Sequence, residues 1–146
     1  MFAGDSTQLN PAPISGDWIL EGTPVARGKA LSVSHDKAAT TWIWDCTAGR
    51  FNWFYDIDET VYVIEGSVTV RDHQGATRTL VSGDIAFFPA GSSAEWTVDE
   101  YVRKVAFLRK PTSPWVRLLQ RVCNKLQRMT RIRSVKIATP TAFGVP

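Results

Sequence analysis

Cysteine, histidine and methionine each occur only twice among the 146 residues, and no acidic residue follows Glu100. Cys46 and Cys123 are too few for a disulfide framework, which points to a reducing, cytoplasmic setting. His35 and His73 are too few for a metal centre built mainly on imidazole. There is no run of about 18 apolar residues to span a bilayer as a helix. The first residues, MFAGDSTQLNPAPISGDW, lack the basic start and apolar core of a signal peptide. No G-x-S-x-G, phosphate-binding loop or CxxC is present, so several enzyme classes have no support in the sequence.

What is present is ordinary for one soluble domain: 44% hydrophobic and 21% charged residues in a chain long enough for a sizeable core. The formal net charge of +3 conceals an asymmetry. All 14 acidic residues and six of the basic ones lie in the first 100 residues, giving −8; the last 46 carry eleven basic residues. Such a tail can bind nucleic acid or an anionic membrane, or lie against the acidic body of its own or a neighbouring subunit. No nucleic-acid motif accompanies it, which favours the last reading.

From Thr40 the chain is dense in β-branched and aromatic residues separated by turn signals. Segments 41–46, 50–55, 60–64, 67–71, 77–81, 84–88, 94–98 and 102–108 read as strands, with Asp72-His73-Gln74-Gly75 as a hairpin turn. Many short strands with no intervening helices predict an all-β sandwich or barrel. After Leu108 the pattern changes. Ser113-Pro114 is a helix start, and Trp115, Leu118, Leu119, Val122, Leu126 and Met129 recur at helical spacing beside a basic stripe of Arg117, Arg121, Lys125 and Arg128. The chain thus divides into an N-terminal arm (1–16), a β-domain (17–110) and a basic, amphipathic helical extension (111–146).

Two glycine-anchored segments carry more. Trp53-x-Tyr55-x3-Glu59-x6-Gly66 and Gly83-x5-Pro89-x-Gly91-x2-Ala94-x3-Val98 together resemble the two cupin motifs. The likeness covers roughly residues 17–109 and is greatest to the small cupins grouped with ureidoglycine aminohydrolase and the ethanolamine-utilisation cupins. It implies a double-stranded β-helix, the jelly-roll barrel. Metal-binding cupins place two histidines and a glutamate in the first motif and one histidine in the second. Here Trp53, Tyr55 and Ala94 stand at the histidine positions, and only Glu59 remains a good ligand. His35 and His73 lie in loops, so no metal site is expected; a divalent ion held at Glu59 is the alternative.

In the cupin register, Trp53, Tyr55, Glu59 and Trp96 point into the barrel with Lys104, which matches the lysine that closes the family pattern. Glu59 and Lys104 then form either a structural ion pair or the polar end of a pocket walled by Trp53, Tyr55 and Trp96. The expected function is binding of a small polar or carboxylated molecule in a metal-free barrel, with Glu59 the best candidate for acid–base chemistry. The rivals are a metal-dependent aminohydrolase or isomerase, and a non-catalytic dimeric interaction module working through the basic tail. A barrel simply filled with aromatic side chains is the plainest alternative. The resemblance also implies a homodimer. Cys46 reads as a buried thiol, and Trp42 and Trp44 as core or subunit-interface residues.

Overall fold

The computed structural model describes residues 8–110, and the helical extension expected over 111–146 lies outside them. Within these bounds the chain is all-β and antiparallel, with one short 3-10 turn at Gly16–Trp18. The strands are β1 (Asn10–Pro11), β2 (Ile19–Glu21), β3 (Ala26–Val33), β4 (Ala39–Phe54), β5 (Asp58–Asp72), β6 (Thr77–Val81), β7 (Ile85–Phe88) and β8 (Ser93–Arg109). They form one sheet in the order β1-β3-β4-β8-β5-β6, with β2 added to β4 and β7 to β5. This path is open: β1 and β6 end the ladder, so the expected barrel is not closed by backbone hydrogen bonds.

Three strands are far longer than their turn signals suggested. Segments 41–46 and 50–54 belong to the single β4, which Tyr55 directly follows, 60–64 and 67–71 to β5, and 94–98 and 102–108 to β8. The intervening residues are bends rather than turns. The register shifts between Thr47 and Gly49 where β4 pairs with β8, and between Val63 and Glu65 and again between Gly66 and Thr69 where β5 does. Gly49 pairs near Val98 and Gly66 opposite Val102, so the three strands bend at one level, on either side of Asp99-Glu100. Extra residues at such bulges increase twist and bend the sheet. Each long strand can therefore exchange partners along its length: β5 takes β7 before its bend and β6 after it.

Alternation along the strands sorts the side chains into two faces. One face gathers the core, which includes Trp44, Cys46 and Phe51 from β4, Val61, Val63, Val68 and Val70 from β5, and Trp96, Val98 and Val102 from β8. Burying a side chain of this size stabilises the fold by about 1.5–3 kcal/mol. Ile14, in the segment read as an arm, joins this core, and β1 in the same segment pairs with β3. The opposite face of β7, β5 and β8 leaves Ile85, Phe87, Tyr62 and Phe107 exposed. On that face Tyr62 lies opposite Ile85, and Thr60 lies between Phe87 and Phe107.

Candidate functional site

The site begins with two charged residues on the core face. Glu59 is the second residue of β5, and Lys104 lies on the second half of β8. The register sets Leu108 opposite Glu59 and Lys104 opposite Val63, with the Val61–Ala106 pair between these rows. The small Ala106 leaves room above it, and the two long side chains meet there. Lys104 Nζ donates to Glu59 Oε1 at 2.6 Å, with only 3% and 6% of the two residues exposed. A charge-assisted bond of this length in a dry setting needs both partners present.

Three aromatic faces flank the ammonium, which also borders a cavity. It sits 4.4 Å from the Trp96 ring centroid, 5.1 Å from Trp44 and 5.7 Å from Trp53. Cation–π attraction is strongest for indole and grows as water is removed. The rings hold one another edge to face, with Trp44 at 5.8 Å from Trp53 and 6.3 Å from Trp96. Trp44 is the direct cross-strand neighbour of Lys104 and Trp53 that of Ala94. Trp44, read from sequence as core or interface, therefore belongs to the lysine's surroundings. The β4–β8 register reveals this, and no spacing along the chain does.

Tyr55 stands one layer behind. Its ring stacks on Phe88 with centroids 4.5 Å apart, and its hydroxyl accepts a hydrogen bond from Trp96 Nε1 at 2.9 Å. Burial, and secondarily the nearby Glu59 carboxylate, push the phenol upward from its ordinary range, so it stays neutral. Its backbone is tied to the second motif: Tyr55 N–H donates to the Ser92 carbonyl at 3.0 Å, and Gly91 N–H to the Tyr55 carbonyl at 2.6 Å. Gly91 has φ +82°, a conformation glycine adopts without penalty, which lets the Pro89–Gly91 turn fold back onto Tyr55. Asp58 helps to hold this turn by accepting from Ala90 N–H at 3.0 Å.

Above the ion pair lies a cavity of about 330 Å³. Trp42, Trp44, Trp53 and Leu108 form its apolar walls, Glu59 and Lys104 supply its charged groups, and Ala12 and Pro13 border it from the N-terminal segment. Of the residues singled out in the sequence, Trp53, Glu59 and Lys104 line this cavity, whereas Tyr55 and Trp96 back it. Trp42 and the 12–13 segment were not singled out for it. Residues 1–39 read from sequence as Pro-, Gly-, Ser- and Asp-rich with short extended pieces at 17–20 and 29–32, the latter inside β3, and the place of 12–13 beside the site follows from the β1–β3 pairing.

The positions that hold metal in related folds do not suit one here. A divalent ion needs several converging nitrogen or oxygen donors. Trp53 and Ala94 offer none, the Tyr55 hydroxyl is engaged with Trp96, and the Lys104 ammonium lies 2.6 Å from the one carboxylate. Among the described residues no three His, Cys, Asp or Glu side chains come together in a metal-sized group, and His35 and His73 are exposed. Cys46 is fully buried, and desolvation pushes its thiol up to about 12, so it is no nucleophile. Asp45, also buried, is held by a bidentate Arg27 at 2.7 and 3.0 Å and by the Tyr101 hydroxyl at 3.0 Å.

The family model for the EutQ-like cupin domain matches residues 33–106, which include Trp42, Trp44, Trp53, Glu59, Lys104 and Ala106 of this site but not Ala12, Pro13 or Leu108. The chain belongs to the EutQ-like cupins. A curated EutQ-like relative, acetate kinase EutQ of Salmonella typhimurium, is 42% identical over 53 residues. That stretch is 36% of this chain and 23% of the relative, so the match spans under a quarter of that protein's length. Among solved structures, the ethanolamine utilisation protein EutQ from Salmonella typhimurium superposes with a TM-score of 0.54 at 26% identity, covering 60% of this chain and 72% of that one. A DUF861-family protein from Pseudomonas syringae pv. tomato gives a TM-score of 0.65 at 26% identity, covering 70% of this chain and 45% of the other. No helix among the described residues is long and apolar enough to cross a membrane.

Proposed function

We propose that this EutQ-like cupin binds a small polar or carboxylated molecule in a jelly-roll pocket that works without a metal. The observation that carries this reading is the convergence of a mostly apolar cavity of about 330 Å³ on one buried ion pair, Glu59–Lys104. Small-molecule sites have this composition: apolar walls for affinity and a few placed polar groups for orientation. An aromatic-filled interior would explain the tryptophans but would leave no open volume beside Glu59 and Lys104. The kinase activity in the name of the Salmonella relative belongs to a protein of which the matched segment is 23%. One ammonium paired to a carboxylate is also a poor seat for a polyphosphate. A homodimer formed through the exposed Ile85, Phe87, Tyr62 and Phe107 face is the assembly that accompanies this reading.

The test is a thermal-shift screen of small acids, amides, alcohols and sugars on the full chain. A ligand at about 100 times its Kd stabilises the protein by about 2.7 kcal/mol. Trp53→Ala removes one wall of the cavity while leaving the ion pair in place, and the expected outcome is a folded protein whose ligand-induced shift is lost. A variant that responds to the same ligands as strongly as the wild type would place their site elsewhere.

A further inference from the structure

The charge inventory of this pocket narrows what it can take, an inference that rests on the reading of the cavity as a ligand site. The two charged groups cancel each other at 2.6 Å. Around them stand three indole faces turned toward Lys104 and the apolar Trp42, Ala106 and Leu108. A guest carboxylate approaching Lys104 would share one ammonium with Glu59, leaving two carboxylates side by side at a pair of which only 3% and 6% is exposed. Like charges at such range are strongly unfavourable where the effective dielectric is low. A guest ammonium approaching Glu59 would face Lys104 in the same way, and the Trp44, Trp53 and Trp96 faces are already occupied by that residue.

A neutral headgroup that offers both a donor and an acceptor, on one oxygen or on one carbonyl carbon, meets neither penalty. Its N–H or O–H can donate to the Glu59 carboxylate, which accepts only, while its oxygen accepts from the Lys104 ammonium, which donates only. Both new bonds are charge-assisted, and no net charge is brought out of water. We infer that the ligand is an uncharged amide or alcohol on an apolar or aromatic body, and that the Glu59–Lys104 pair selects it against the matching acid and amine.

The test compares four phenyl probes of similar size on the full chain at neutral pH by calorimetry: benzamide, benzyl alcohol, benzoate and benzylammonium. Benzamide or benzyl alcohol is expected to bind at least about tenfold more tightly than either charged probe. Glu59→Gln removes the carboxylate and leaves Lys104 uncompensated, so in that variant benzoate is expected to overtake benzamide. If benzoate or benzylammonium binds the wild type most tightly, the neutral-headgroup inference is overturned, although the pocket itself stands. If no probe binds, or Trp53→Ala binds every probe as the wild type does, the pocket reading fails and takes this inference with it. The wild-type ranking decides the matter even if Glu59→Gln does not fold.

Discussion

Replacing Lys104 by methionine is expected to cost about 3–5 kcal/mol of stability, among the largest effects of any single side-chain change in this chain. The substitution keeps most of the apolar stem but removes the ammonium, leaving the Glu59 carboxylate 6% exposed without its counter-charge. It also empties the space between the Trp44, Trp53 and Trp96 faces, which now contributes cation–π attraction. Most of the loss comes from the abandoned carboxylate rather than from the bond itself, so it should be largely recovered in a double variant. Glu59→Leu combined with Lys104→Met is expected to lie within about 1–2 kcal/mol of the wild type, because a buried pair is often matched by apolar residues of similar volume. Urea denaturation of the wild type, both single variants and the double variant measures this as a cycle. A cost below about 1 kcal/mol for Lys104→Met would mean that water already solvates the pair.

The second large effect is expected at Gly66→Ala. Gly66 has φ +70°, and a Cβ placed on it would overlap the Tyr101 carbonyl oxygen, a backbone atom that cannot rotate away. Backbone strain and steric overlap together cost about 3–5 kcal/mol, a large share of the stability of an ordinary domain. The consequence reaches the site. Gly66 lies opposite Val102, at the level where β4, β5 and β8 bend, and Lys104 follows two residues later on β8. Soluble yield and the denaturation midpoint check this directly. Gly83→Ala is the control, because Gly83 also has positive φ but a Cβ there meets nothing within 4 Å. It should cost clearly less.

These two positions also show what was legible in the chain. Glu59, Gly66, Gly83, Pro89 and Gly91 stand at motif spacings, and their roles are local: a strand opening, a bend and two turns. Their spacing sufficed to indicate a β-rich cupin. The Glu59–Lys104 pair could be anticipated only through the likeness to related chains, since 44 residues separate the two from each other in between. The sequence predicts turns at these bends because Glu65-Gly66 and Thr47–Gly49 have the composition of a turn. Whether such a segment reverses the chain or bulges one strand depends on the neighbour across it, here Tyr101 and Val102 of β8. Alternation gives Trp44 its core or interface face, and it does lie in the core; only the β4–β8 register puts Lys104 beside it. Ala12 and Pro13 carry no chemical signal at all, and their place at the cavity edge is a tertiary fact.

The central claim is that a small molecule sits between the tryptophan walls and the Glu59–Lys104 pair. It is tested most directly by titrating ¹⁵N-labelled protein with benzamide and following the indole N–H resonances together with the backbone amides. The expected result is a saturable shift of the Trp42, Trp44 and Trp53 indoles, with the amides of the Asp72–Gly75 turn unmoved. Shifts confined instead to the separate cleft lined by Asn52, Arg71, His73 and Glu95, with the three indoles silent, would contradict it.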